Sequence, residues 1–120
     1  MNDKSIINGR FEALQEQRFT KKDWALFRNK IVDWQESYMN RLNNEYIELL
    51  SDDANPSEKF WKLDKRIKED RKKTGVQLEM SRSNLIYNII SLINEGAISC
   101  EDLDEFSDEL KEAVSAFVER

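Results

Sequence analysis

Residues 24–38 read WALFRNKIVDWQESY. Their large apolar side chains recur at alternating steps of three and four residues, at Trp24, Phe27, Ile31, Trp34 and Tyr38. This alternation keeps one side of an α-helix facing a partner. The pattern slips by one residue and continues to Leu49, so it predicts one helix over residues 21–50, about 45 Å long. Thr20 and Asp23 have the spacing of a capping box, in which the Asp side chain reaches back to the Thr backbone.

Two further helices are predicted on either side of this long one. Residues 5–18 place Ile7, Phe11 and Leu14 on one side of a short amphipathic helix. After a polar break at residues 51–55, Asn55 and Pro56 have the residue types that begin a helix. Its inward side is predicted to carry Phe60, Leu63 and Ile67. Gly75 is the expected left-handed residue at its end.

Two more helices are predicted in the last third of the chain. One begins at Ser81 or Ser83 and ends at Gly96, and it should be the most buried helix because its apolar residues cover a wide arc: Leu85, Ile86, Ile89, Ile90, Leu92 and Ile93. The other begins with a capping box, Ser99 and Asp102, and continues as one helix along Leu103, Phe106, Leu110, Val114 and Phe117. The sequence therefore predicts an all-α fold, a compact bundle of about five helices with one long central helix, in a single domain over residues 1–120.

The composition excludes several kinds of site. The 120 residues include no histidine and one cysteine, and the formal net charge is −5. Without histidine there is no Ser-His or Cys-His catalysis and no His-ligated zinc. A single cysteine forms no intramolecular disulfide and is typical of a reducing compartment. We expect Cys100 to be a small, half-buried residue rather than a nucleophile.

The sequence also lacks the signals of export and membrane insertion. The first ten residues contain no apolar signal-peptide core. The densest apolar stretch, residues 85–93, is far shorter than the roughly 20 residues that span a membrane. We therefore expect a cytoplasmic protein without a membrane partner.

Positive charge is concentrated in residues 59–73, the basic segment, which holds eight of the 19 Lys and Arg residues. Such a surface could neutralise a nucleic-acid backbone, with Trp61 stacking on a base. The candidate nucleic-acid-binding residues are Lys62, Lys65, Arg66, Arg71 and Lys72. Three acidic residues within the segment and Glu58 just before it dilute its charge, whereas DNA-binding domains present a cleaner basic face. A DNA-associated regulator that uses the basic segment is therefore an alternative rather than the leading interpretation.

Negative charge is concentrated near the C-terminus. The candidate partner-binding residues form a band opposite the last apolar stripe: Asp104, Glu105, Asp108, Glu109 and Glu112. A band of this kind could occupy a basic groove on another protein, including one built to hold nucleic acid, and it would mainly set specificity and association rate. The plainer alternative is that the acidic band and the basic segment are solvated surfaces or attract each other within the fold.

Carboxylate pairs at three-residue spacing allow one enzymatic alternative. All-α nucleotide pyrophosphatases bind Mg²⁺ through such pairs, because hard oxygen ligands suit this ion. Here Glu45 with Glu48, and Glu105 with Asp108, have that spacing. In a chain with 24 acidic residues such pairs also arise by chance, so we expect no metal, no cofactor and no catalytic residues.

Four phrases resemble small uncharacterised helical proteins of Gram-positive bacteria and their mobile elements: WQESYM (34–39), NEYIELL (44–50), FWKLDKRIK (60–68) and DEFSDEL (104–110). The resemblance runs from about Trp24 onward and carries no catalytic motif. Such elements also encode small acidic inhibitors of host defence, among them anti-CRISPR proteins that block the Cas9 nuclease.

Taken with the charge distribution, this resemblance implies a non-enzymatic regulator or inhibitor. Its expected partner is a larger protein, with a nucleic-acid-handling enzyme as the specific case. A homodimer formed through the aromatic stripe of the long helix remains an alternative.

Overall fold

The computed structural model describes residues 20–118, and this part of the chain contains four α-helices, two short 3₁₀ helices and no strand. The helices are α1 (Lys21–Leu50), α2 (Pro56–Asp70), α3 (Leu85–Asn94) and α4 (Asp108–Ser115). The 3₁₀ helices are Arg82–Asn84 and Cys100–Leu103. The predicted all-α class is confirmed. The helix predicted over residues 5–18 lies outside the described residues.

The long helix predicted from the aromatic spacing is confirmed. α1 has 30 residues, and the Thr20 hydroxyl accepts a hydrogen bond from the backbone N–H of Asp23 at 3.0 Å. This contact satisfies one of the N–H groups that the first turn of a helix leaves without a partner. The second half of the predicted capping box is wrong, because the Asp23 carboxylate binds a distant residue instead.

The hydrophobic core lies between the N-terminal half of α1 and the C-terminal third of the chain. α3 supplies the largest share, as predicted, and Ile86, Ile89 and Leu92 are fully buried. Phe27 and Ile31 of α1 pack against them, and so do Leu103, Phe106, Leu110 and Val114. Each large apolar side chain removed from water in this way stabilises the fold by about 1.5–3 kcal/mol.

The other half of α1 leaves this core and pairs with α2. We call the antiparallel pair formed by residues 39–50 and α2 the arm. The prediction that Phe60 and Ile67 point into a core is wrong, because 61% of Phe60 and 38% of Ile67 is exposed. α2 packs on α1 but buries no apolar residue. Its apolar side chains are therefore covered by α1 in part and remain partly in water.

The arm makes the molecule longer than the predicted compact bundle. Its radius of gyration is 17.4 Å, compared with about 13 Å for a compact domain of about 100 residues. The longest dimension is 52 Å. The compact part of the molecule is the core formed by α1, α3 and α4, and the arm projects from it.

Gly75 serves close packing rather than a left-handed turn. α2 ends at Asp70, and among the described residues the positive φ belongs to Gly96, at +80°. The prediction that Gly75 ends α2 in the left-handed conformation is therefore wrong. Its backbone lies against the ring of Tyr38, where an added Cβ would come within 2.8 Å of Cγ and Cε2. A side chain at this position would collide with a buried aromatic ring.

The last predicted helix is interrupted. The Ser99–Asp102 capping box is present, and the Asp102 carboxylate accepts from the Ser99 N–H at 2.8 Å. It begins a 3₁₀ helix that ends at Leu103, and α4 starts only at Asp108. Ser107 between them is extended and caps α4, because its hydroxyl accepts from the N–H of Leu110 at 3.2 Å. The apolar stripe continues across the break, which is why periodicity alone predicts one helix.

Within residues 20–118, no helix combines the length and the apolar character that a membrane span requires.

Candidate functional site

The residues of the predicted acidic band lie between the end of the second 3₁₀ helix and the middle of α4. We call its five residues the acidic surface: Asp104, Glu105, Asp108, Glu109 and Glu112. All five are exposed, and the Asp108 side chain retains 96% of its accessible area. The apolar residues of the same segment, Phe106 and Leu110, are buried, so the band faces solvent.

A buried carboxylate holds the acidic surface against α1. Asp23 is 1% exposed, and its two oxygens accept from the Ser107 N–H at 2.9 Å and from the Ser107 hydroxyl at 2.7 Å. Since Ser107 also caps α4, these contacts fix where α4 begins. The capping spacing of Thr20 and Asp23 was visible in the sequence, whereas the partner of Asp23 was not.

A shallow depression of about 340 Å³ lies beside this contact. It is lined by Thr20, Lys22, Asp23, Glu105, Phe106, Ser107 and Asp108. Two exposed carboxylates of the acidic surface, Glu105 and Asp108, therefore stand at its edge. A depression of this size with carboxylates at its edge can accept a Lys or Arg side chain.

The acidic surface is largely free of internal cations. Lys30 lies 3.6 Å from Glu105 and Lys111 lies 3.9 Å from Asp108. In the described part of the chain, no ion pair joins the acidic surface to the basic segment. The helix dipole accounts for Asp108 and Glu109 only, because these two lie in the first turn of α4.

The predicted nucleic-acid-binding residues divide into two groups. Arg66 is engaged within the arm, at 3.4 Å from Glu45 and 3.6 Å from Asp70. The other four are exposed and form no ion pair in the described structure: Lys62, Lys65, Arg71 and Lys72. The structure therefore does not bring all five together in one binding surface.

The outer side of α2 carries an aromatic and cationic row. Trp61, Lys65 and Lys68 are four and three residues apart, so they lie in line on α2, and Lys72 continues this spacing just after the helix ends at Asp70. Trp61 is 64% exposed. Within the row, Lys68 is paired, at 2.9 Å from Asp64. Two lysines and one tryptophan thus face solvent without a charged partner among the described residues.

Neither carboxylate pair considered for Mg²⁺ consists of two unpaired carboxylates on one helix. Glu45 pairs with Arg66, and Glu105 precedes α4 whereas Asp108 begins it. No group of three or more Asp, Glu or Cys residues close enough to hold a metal ion occurs within residues 20–118. Cys100 is exposed, so the prediction that it is half-buried is wrong.

The arm contains a buried polar contact that the sequence does not predict. Asp70 is 3% exposed, and the Tyr46 hydroxyl donates to it at 2.6 Å. Burial and this hydrogen bond to a carboxylate raise the pKa of Tyr46 from 10.0 to about 12. Both effects favour the neutral phenol. The one sequence signal was Tyr46 itself, an aromatic residue in the arm half of the stripe.

No protein-family model, no curated protein and no solved structure matches this chain.

Proposed function

We propose that this protein is a non-enzymatic interaction protein, a regulator or inhibitor that binds a larger partner protein through its acidic surface. The observation that carries the proposal is the exposure of five neighbouring carboxylates whose charge the described part of the chain leaves mostly unbalanced. A surface of this kind attracts a basic partner and raises the rate of encounter.

The partner surface has a definite chemistry. Lys or Arg side chains would contact Asp104 and Glu112, and one of them would enter the depression between Glu105 and Asp108. An Arg would gain most there, because its planar fork can donate to both carboxylates. Proteins that handle nucleic acid carry grooves with this charge.

The narrower proposal is inhibition of a Cas9-type nuclease. Its support is the resemblance to proteins of mobile elements together with the acidic surface, which could occupy a groove meant for nucleic acid. Purified Cas9 with guide RNA should then cleave its DNA target more slowly as the protein is added. Full cleavage at a saturating concentration of the protein would contradict this narrower proposal and would not affect the general one.

The general proposal is tested by a charge reversal placed where it does not disturb the fold. Asp104, Glu105 and Glu112 lie outside the first turn of α4, so replacing all three by Lys should leave the unfolding free energy nearly unchanged. Capture of a protein from a Gram-positive host lysate, with nuclease present, should be lost.

The matched control is a second triple variant with the same change in net charge. Asp33, Glu36 and Glu48 are exposed on α1 and form no ion pair in the described structure. Their replacement by Lys should leave capture intact. If both variants lose the partner equally, net charge rather than the acidic surface determines binding, and the proposal is wrong.

A second candidate function is association with single-stranded nucleic acid through the outer row of α2. Its support is the position of Trp61 in line with Lys65 and Lys72, because an exposed aromatic ring beside cations stacks on bases. Binding of an oligonucleotide should fall steeply with salt and weaken in a Lys65→Ala, Lys72→Ala double variant. Lys21→Ala with Lys22→Ala, at the opposite end of α1, is the control.

A further inference from the structure

The arm contains a groove that the proposed function does not use. Its centre is a cavity of about 320 Å³ between α1, α2 and the chain that follows α2. Its apolar lining consists of Met39, Leu42, Ile67 and Val76, and its polar lining of Asn43, Tyr46, Asp70 and Arg71.

Two rows of residues extend this cavity along the arm. On α1, Met39, Asn43, Tyr46 and Leu50 are four, three and four residues apart. On α2, the residues at the same spacing are Phe60, Asp64 and Ile67, followed by Arg71 at the C-cap of the helix. Residues at these steps share one side of a helix. Each row covers about 16 Å, or three helical turns.

Three of the four apolar members of the rows are exposed, and the fourth, Met39, is half-buried. Leu50 is 45%, Phe60 61% and Ile67 38% exposed. A small ligand in the cavity would cover Ile67 and leave Leu50 and Phe60 in water. An occupant that follows both rows has the length of a helix of about 12 residues, and an apolar groove of this kind is a known way to bind an amphipathic helix.

The charges around the groove determine which charge a bound helix from another protein should carry. Asp70 is neutralised by Arg66 and Lys73, at 3.6 and 3.7 Å, and Asp64 pairs with Lys68. Arg71 is the lining residue whose charge no ion pair balances among the described residues. On the opposite edge, α1 presents the uncharged Asn40, Asn43 and Asn44, and Glu36 lies one turn before Asn40. The groove therefore favours a carboxylate of the occupant at Arg71 itself.

We propose that the groove of the arm binds an acidic amphipathic helix of a partner protein, with apolar residues at steps of three and four against Phe60 and Ile67 and a carboxylate against Arg71. The site is separate from the acidic surface, so either proposal can fail without the other.

The probe is a helical peptide of about 12 residues with leucines at steps of three and four and glutamates elsewhere. The matched peptide carries lysines in place of the glutamates. In an NMR titration of the full chain, the glutamate peptide should shift the amide signals of Asn43, Ile67 and Arg71. The lysine peptide should bind at least about tenfold more weakly.

Matched variants locate the site. Phe60→Ser should weaken binding of the glutamate peptide about tenfold, as expected for an aromatic anchor. Val32→Ser should not, because Val32 is 60% exposed, much as Phe60 is, but lies on α1 outside the arm. Arg71→Gln should reduce the difference between the two peptides, and Lys72→Gln should preserve it. All four positions are exposed, so the fold tolerates these changes.

Three outcomes would overturn the proposal. One is that both peptides bind equally or that neither binds. Another is that the fluorescent anion 8-anilinonaphthalene-1-sulfonate binds the cavity while the peptides do not displace it, which would indicate a small-molecule site. The third is a homodimer that Phe60→Ser dissociates, which would make a second copy of this chain the occupant.

Discussion

Asp23 and Ser107 are 84 residues apart in the chain, and the Asp23 carboxylate accepts both the N–H and the hydroxyl hydrogen of Ser107. The same serine caps α4 through the N–H of Leu110. One contact therefore joins the start of the long helix to the start of the last one, underneath the acidic surface.

Asp23→Ala should lower the unfolding free energy by about 2–4 kcal/mol, because buried hydrogen bonds to a charged group are lost and the Ser107 N–H is left without its acceptor. Thr20→Ala, which removes only the N-cap contact of α1, should cost about 1 kcal/mol. Urea denaturation of the two variants measures both costs. Ser107→Ala combined with Asp23→Ala should cost less than the sum of the single changes, and strict additivity would show that the two side chains act independently.

Gly75→Ala should destabilise the protein by about 1–3 kcal/mol, the usual cost of overpacking a filled site. The added Cβ meets the ring of Tyr38, so the cost should fall when Tyr38 is first changed to Leu. A double-mutant cycle by thermal denaturation measures this coupling. If the cost is the same in both backgrounds, the backbone conformation of Gly75 rather than the Tyr38 ring is responsible.

Stability should decrease at high pH because of Tyr46. Its phenol has a folded-state pKa of about 12, against an ordinary value of 10.0. Its contribution is therefore complete below pH 10 and is lost as the pH rises through 12. Denaturation at a series of alkaline pH values should show a decline that is smaller in Tyr46→Phe.

Truncations should separate the core from the arm. Leu110→Ala should cost about 2–5 kcal/mol because Leu110 is fully buried. Phe60→Ala should cost less than about 1 kcal/mol, since most of its side chain is already in water. Urea denaturation of the two variants measures the difference. Equal costs would contradict the placement of Phe60 outside the core.

The sequence predicts local structure well wherever the periodic pattern is long. The bounds of α1 follow from its aromatic spacing, and α2 begins at the Pro that follows Asn55. Periodicity shows that one side of α2 is apolar, but it does not show whether anything covers that side. This is why the prediction that Phe60 and Ile67 point into a core is wrong.

The remaining differences come from contacts distant in sequence. The break before α4 depends on Asp23, and the need for Gly75 depends on Tyr38. The acidic residues could be found from sequence because charge is visible there. The groove could not, since it requires the two rows of α1 and α2 to lie side by side. Whether the acidic residues bind a partner stays a prediction.

Because α1 is continuous, it fixes the distance between the acidic surface and the groove. Asp23, beneath the acidic surface, and Asn43, in the groove, belong to the same uninterrupted helix and are about 30 Å apart along its axis. A partner that carried a basic patch and an acidic helix at that separation would engage both at once, and the second contact would form at a high effective concentration. Two weak contacts would then act as one strong one, and only for partners with the matching spacing.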